Sequence, residues 1–320
     1  MKMVKKVVSF FLIIAIVSTM VGCGDFSSRK DSGLSVVSTI FASYDFAKQI
    51  AGENGEVTML LKPGAEFHSY EPTPKDIITI SNCDVFIYVG GENDAWVNDI
   101  LKSMDTSNMT VIRMLDLVNK YTEEIVEGMD GHEHNDECDH EDNHEGWDEH
   151  VWTSPKNAIV ICEAIKDTFV KIKPEFADFY EENCKNYVAQ LEKLHLDIDT
   201  AVKESNKDVL IFGDRFPIRY FVEEYNLRYY AAFPGCSSDT EASAATIAFL
   251  IDKVIEEEIN VVFKIELSSD SVAKTIADDS DAKVATFNTC HNITSEDFNN
   301  GETYVSLMYG NLEALKEALK

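Results

Sequence analysis

Short apolar runs rich in Val and Ile alternate along the chain with stretches whose apolar residues recur every three to four positions. In the first half, SVVSTIF (35–41), EVTMLL (56–61), DVFIYVG (84–90) and VIRML (111–115) read as strands. In the second half, DVLIFG (208–213), LRYYAAF (227–233), NVVFKIE (260–266) and KVATFN (283–288) do the same. Helical periodicity fits 42–53, 74–82, 95–105, 217–226, 241–258, 270–279 and 303–319. Strands that alternate with helices at this spacing imply parallel sheets with crossover helices, here two sets of four strands.

A long helical region separates the two sets. Residues 156–172 have helical periodicity, Pro174 interrupts it, and 175–204 then run without Gly or Pro. Phe176, Phe179, Tyr180, Tyr187, Leu191, Leu194 and Ile198 mark one apolar stripe. At 1.5 Å per residue such a helix spans roughly 45 Å, the length of a two-lobed molecule. The expected fold is α/β: two lobes, each a four-stranded, mainly parallel sheet flanked by helices, joined by one long rigid helix. The lobes are expected at 35–173 and 206–320, with the linking helix at 174–205.

The N-terminus carries a different pattern. Lys2, Lys5 and Lys6 precede an apolar stretch from Val7 to Val17, too short to span a bilayer. Met20-Val21-Gly22-Cys23 follows and resembles the lipobox of bacterial lipoproteins. A lipoprotein signal peptide is expected at 1–22 and a tether at 23–34, with Cys23 as the lipidated residue and the protein anchored on the extracytoplasmic face of the cell membrane. Two acyl chains suffice for stable anchoring.

Charge refines this picture. The 320 residues include 28 Lys and Arg against 57 Asp and Glu, a net charge of −29. Phosphate neutralisation needs clustered cationic side chains, so a nucleic-acid partner is excluded. The acidity is concentrated: 11 Asp and Glu lie between Glu127 and Glu149, and no Lys or Arg occurs from Tyr121 to Pro155. This segment has neither periodicity, which suggests an exposed loop, and it is laced with His132, His134, His140 and His144. Six further Cys (83, 138, 162, 184, 236 and 290) form no CxxC pair, so most are expected as buried thiols. A Cys236–Cys290 bond is left open.

Three further His stand at the ends of strands or the starts of helices, where parallel α/β sheets bind ligands. His68 follows strand 56–61, His150 precedes a helix capped by Ser154 with Pro155 at its first position, and His291 follows strand 283–288. Asp214 and Glu266 close two strands of the second set. Neutral imidazoles with a carboxylate suit Zn²⁺ in a four-coordinate shell. Taken singly, each His reads equally as a surface or hydrogen-bonding residue, and each acid as an ion-pair partner. His195, inside the long helix, reads as structural. No HExxH motif is present.

From Ser35 onwards the chain resembles the zinc/manganese solute-binding lipoproteins of bacterial ABC importers, the cluster A-I family. The stretches that carry the resemblance are His68-Ser69-Tyr70-Glu71-Pro72-Thr73-Pro74, His150-Val151-Trp152-Thr153-Ser154-Pro155-Lys156-Asn157-Ala158, Phe216-Pro217-Ile218-Arg219-Tyr220 and Gly301-Glu302-Thr303-Tyr304. It implies metal held between the lobes, with His68 and His150 as ligands from the N-terminal lobe. It also implies an ABC permease and its ATPase as partners, no enzymatic turnover, and a monomer. The family's third His falls where this chain has Asp214-Arg215, and its last acidic ligand falls near Cys290-His291. His291 is therefore expected as a ligand, with Asp214 or Glu266 completing the shell. The His-laced loop matches zinc-type members and suggests cation capture. Zn²⁺ is the expected cargo ahead of Mn²⁺; the alternative reading is a manganese transporter component or a metal-dependent surface adhesin.

Overall fold

The computed structural model describes residues 33–65, 70–129, 146–237 and 241–320. The expected signal peptide, Cys23, His68 and the loop histidines 132, 134, 140 and 144 lie outside these residues. Gly33–Lys320 forms one compact unit built on two four-stranded sheets.

The first sheet contains β1 (Leu34–Ser38), β2 (Gly55–Met59), β3 (Val85–Tyr88) and β4 (Thr110–Arg113) in the order β2-β1-β3-β4, all parallel. The second contains β5 (Val209–Phe216), β6 (Arg228–Pro234), β7 (Val261–Ile265) and β8 (Lys283–Phe287) in the equivalent order β6-β5-β7-β8, again all parallel. Both sheets reverse direction of growth beside their first strand. That is where open parallel sheets bind ligands, beyond the strand C-termini.

Ten α-helices are present among the described residues. In the first half they are α1 (Phe41–Ala51), α2 (Pro74–Ser81) and α3 (Ala95–Ser103). Then come α4 (Pro155–Ile172) and α5 (Ala177–Lys203), followed by α6 (Arg219–Tyr225), α7 (Ala244–Glu256), α8 (Ser271–Ser280), α9 (Ser295–Asn300) and α10 (Tyr304–Ala318). Their starts follow capping chemistry. Thr73 and Asp76 form a capping box with Pro74 at the first position of α2. Ser154 caps α4 by accepting from Asn157 N–H, as the sequence predicts. The long helix begins at Ala177, three residues after the start expected at 174, because Pro174–Phe176 forms a separate 3₁₀ turn. Its stripe of Tyr180, Tyr187, Leu191, Leu194 and Ile198 is buried in the large core that spans both sheets.

Two elements depart from the sequence expectation. Strand β5 continues three residues past Gly213, so Asp214 lies inside the strand rather than after it. A register shift between Phe212 and Arg215 interrupts pairing with β6, which resumes at Arg215–Phe233. Gly, Asp and Arg have weak strand preference, and tertiary pairing overrides it. Gly213 is required here because a Cβ would lie 2.4 Å from the Ala273 Cα of α8. The second departure is α9, a helix of six residues capped by Thr294 and ended by Gly301 at φ 79°. It is too short to show periodicity in the sequence.

The two halves are joined by hydrogen bonds as well as by the core. Ile40, at the N-cap of α1, contributes no side-chain cap. The orphan N–H groups of Phe41 and Ala42 instead donate to the carbonyls of His291 (3.0 Å) and Cys290 (3.1 Å). Asp45, one turn further on, is 3% exposed and accepts from Tyr187 Oη of α5 (2.7 Å) and the Tyr304 N–H that opens α10 (3.0 Å). Burial raises the Asp45 carboxyl above its usual range, against these hydrogen bonds. Truncation to Ala strands two buried donors, so Asp45→Ala is expected to destabilise the fold by about 2–4 kcal/mol, with Asp45→Asn milder. Urea denaturation of both variants checks this; equal stability of Asp45→Ala and parent would contradict it.

Candidate metal centre

A cavity of about 40 Å³ opens beyond the C-terminal ends of the strands. Ala65 and His150 line it from the first half, and Arg215, Gly235, Glu266, Thr289 and His291 are among the residues that line it from the second. This volume suits a single ion or water.

His150 sits on the turn between the β4 connection and α4, and is 1% exposed. Asp148 receives the His150 backbone N–H (2.8 Å) and lies 3.1 Å from its Nδ1. A carboxylate at Nδ1 fixes the ring and leaves Nε2 for a metal. Burial opposes protonation of His150, but the carboxylates of Asp148, Glu149 and Glu123 together outweigh it and hold the imidazole above its usual value. His291, 8% exposed, approaches from the other half with its ring centroid 5.5 Å from that of His150. The sequence thus brings two of its predicted ligands together across the joint.

The turn that carries His291 is tightly specified. Glu266 accepts from Thr289 N–H (2.7 Å) and Thr289 Oγ1 (2.5 Å), and Thr289 Oγ1 accepts the His291 N–H (3.2 Å). Trp152, two residues after His150, donates its indole N–H to the Thr289 carbonyl at 2.8 Å, and its own carbonyl accepts from Tyr304 Oη at 2.7 Å. The Trp152 ring also packs edge-on against His291, with centroids 5.0 Å apart. Leu267 (φ 60°) and Cys290 (φ 58°) hold left-handed backbone on either side of the cavity. Such conformations persist where the surroundings over-determine them, often beside functional residues.

The two candidate acids differ in placement. Glu266 lines the cavity, though its oxygens already hold Thr289. Asp214 accepts from Arg215 N–H (2.8 Å) and Ile265 N–H (3.0 Å), tying β5 to β7, and does not border the cavity. Among the described residues, no group of three His, Cys, Asp or Glu forms a ready metal shell. His195 lies 2.7 Å from Glu224 and stacks on Tyr225, an anchor between α5 and α6.

Sequence reasoning missed Asp148, Trp152 and Thr289. Asp148 had a signal, since a carboxylate two residues before a predicted ligand can reach its ring. It also missed Arg215 as a cavity residue. That guanidinium is buried, with its Nε 3.9 Å from the Asp214 carboxylate. The described cysteines (83, 162, 184, 236 and 290) are all free, so Cys236 and Cys290 are not bonded to each other.

Two parallel α/β halves, joined through buried hydrogen bonds and presenting paired imidazoles at their interface, define a two-lobed cation-binding protein. The family described as ZnuA, zinc-uptake complex component A periplasmic, matches residues 36–318, and the chain belongs to it. It is 33% identical to a Bacillus subtilis protein named high-affinity zinc uptake system protein ZnuA, with 99% of each chain covered. It is 31% identical over 88% of its length to a Streptococcus pyogenes zinc-binding protein named AdcA, of which it spans 55%. The crystal structure of the Zn(II)-bound ZnuA-like domain of Streptococcus pneumoniae AdcA superimposes with a TM-score of 0.73 at 28% identity. That match covers 90% of this chain and 99% of the domain.

Behind His150, Glu149 accepts from Asn93 N–H and Nδ2, both at 3.1 Å. Asp94 is 1% exposed and accepts from Val89 N–H (2.8 Å) and Gly90 N–H (3.1 Å), so the two acids lace the β3 loop to the His150 turn. Burial pushes the Asp94 carboxyl up from 3.8 to about 7. The folded state then holds more protons than the unfolded state between these values, so this group makes stability fall as pH rises from about 4 to about 7, with no further effect above. Between pH 5 and pH 8, Asp94→Asn is expected to lose less stability than the parent in urea denaturation. An identical or steeper loss would contradict the assignment.

Proposed function

We propose that this chain binds Zn²⁺ in the cavity between its lobes, outside the cytoplasm, and delivers it to the permease of an ABC importer. The observation that carries this reading is the convergence of His150 and His291 from opposite halves, each buried and each bordering one ion-sized cavity. Membership of the zinc-uptake family and the printed names of the relatives support zinc as the cargo. His68, on the connection that continues from cavity-lining Ala65, is the third imidazole. Glu266 supplies negative charge at the cavity wall and orients His291 through Thr289; Asp214 fixes the strand ends. Such a protein binds and releases without turnover. A lipid on Cys23 would hold it to the membrane beside the permease and its ATPase, working as a monomer. The domain boundaries follow from the same reading: a signal peptide at 1–22, a tether at 23–34, lobes at 35–173 and 206–320, and the linking helix at 174–205.

Replacement of His150 or His291 by Ala is expected to lower zinc affinity by more than about 100-fold, beyond the effect of losing an outer hydrogen bond. Competition titration with a zinc chelator measures this. Protonated imidazole cannot coordinate, so affinity falls with pH. Because Asp148 favours protonated His150, the fall should begin above the usual imidazole value of about 6.5. Affinity that holds down to pH 5, or survives both substitutions, would exclude this site.

The His-laced acidic segment would raise the local cation concentration beside the cavity. Deletion of 131–147 is expected to slow zinc loading or reduce the number of ions bound, and to spare the tight site. Unchanged stoichiometry together with unchanged uptake at scarce zinc would remove that role.

A further inference from the structure

We propose that Tyr220 is a positioning residue for the metal site: from the second half of the chain it fixes Asp148, and through Asp148 the imidazole of His150. The proposal rests on the zinc-binding reading of His150 and His291. It gives a role to the stretch Phe216-Pro217-Ile218-Arg219-Tyr220, of which only Pro217 borders the cavity.

Three observations carry it. First, the flanks of the His-laced segment pair as a short stem. The Asp148 N–H donates to the Tyr121 carbonyl and the Glu123 N–H to the Gly146 carbonyl, both at 2.9 Å, around an antiparallel bridge between Thr122 and Trp147. Second, the Tyr220 hydroxyl, carried by α6, joins both strands of this stem. It donates to the Asp148 carbonyl (2.9 Å) and accepts the Tyr121 N–H (3.2 Å), and Tyr220 is 1% exposed. Third, other second-half groups grip the same stem. Arg219 pairs with Glu124, and with Glu223 of its own helix at 2.7 Å, while the Cys236 N–H donates to the Glu123 carboxylate at 2.8 Å. The stem that leads into His150 belongs to the first half by sequence and is anchored on the second.

The link to the cation runs through Asp148. Tyr220 and Tyr121 hold its backbone, and its carboxylate accepts the His150 N–H at 2.8 Å and lies 3.1 Å from His150 Nδ1. Rotation of the Asp148 peptide therefore moves the carboxylate that orients the His150 ring, and outer partners of this kind tune a metal ligand. A hydroxyl suits the position because it donates one hydrogen bond and accepts another; phenylalanine would leave a buried carbonyl and a buried N–H unpaired. Tyr225, five residues on in α6, is also buried, but its hydroxyl lies 3.1 Å from His195 Nδ1 and does not reach the His150 turn. The half that carries His291 thus also sets the ring of His150, and the two ligands share one frame.

The test uses the full chain and competition titration with a zinc chelator. Tyr220→Phe should lower zinc affinity by about tenfold, the lower end of what an outer partner contributes. Asp148→Ala should lower it by about 10- to 100-fold. Adding Tyr220→Phe to Asp148→Ala should then cost less than about twofold, because the His150 ring has already lost the carboxylate through which Tyr220 acts. Tyr225→Phe, which removes a buried hydroxyl from the same helix, should lower the urea midpoint and keep zinc affinity. Parent-like affinity in Tyr220→Phe, an equal loss in Tyr225→Phe, or an undiminished loss in the Asp148→Ala background overturns the proposal and leaves the two-histidine site standing. Zinc affinity unaffected by His150→Ala overturns the site and this role together. Hydrogen exchange on the unsubstituted chain needs no variant to fold. Zinc should slow exchange of the Tyr121 amide, whose acceptor is the Tyr220 hydroxyl, and not that of the Lys283 amide, at the strand ends opposite the cavity. An unchanged Tyr121 rate, or equal slowing of both amides, also overturns the proposal.

Discussion

The unfilled N–H groups at the start of α1 set the constraint on which the rest depends. A helix must find partners for its first donors, and Ile40 offers none from its side chain. The carbonyls of Cys290 and His291 take that role, so the first half of the chain completes its opening helix only by seating the turn that carries His291. Asp45 extends the same joint by accepting from α5 and α10, elements separated from it by more than a hundred residues in sequence. Asn292 adds two bonds from its amide to the carbonyls of Lys62 and Ala65. The relative placement of His150 and His291 thus follows from helix capping and buried acceptors. These two imidazoles are not left to find one another.

Much of the fold was legible because its signals are local. Eight apolar runs gave eight strands, and the apolar stripe from Tyr180 to Ile198 gave the long helix. Capping residues such as Ser154 marked helix starts directly. The misses were set by tertiary contacts. Strand β5 runs through Asp214 and Arg215 because Arg215 pairs with Phe233 of β6 and the Asp214 carboxylate accepts the Ile265 N–H of β7, contacts that strand preference cannot show. The site divides in the same way. His150 and His291 stand out by residue type and position, whereas Thr289 and Trp152 matter only through contacts made across 137 residues.

Electrostatics around the cavity are arranged for a cation although no single acid is presented bare. Asp148 and Glu149 are buried next to His150, and Glu266 lines the cavity together with Arg215. Each carboxylate is held by N–H or O–H donors, which keeps the anions in place without a metal. Buried charges of one sign stay tolerable when fixed dipoles satisfy them. The cation then adds to a field that already exists and need not assemble it.

The size of the cavity has a kinetic consequence. A cation seated in about 40 Å³ between His150, Glu266 and His291 has protein donors on several sides. To coordinate there it exchanges waters for imidazole and other protein donors. Mg²⁺ gives them up reluctantly and prefers to keep several. A site that asks an ion to trade water for imidazole therefore favours ions that exchange their waters readily as well as those that bind nitrogen strongly, and Mg²⁺ is poorly suited on both counts.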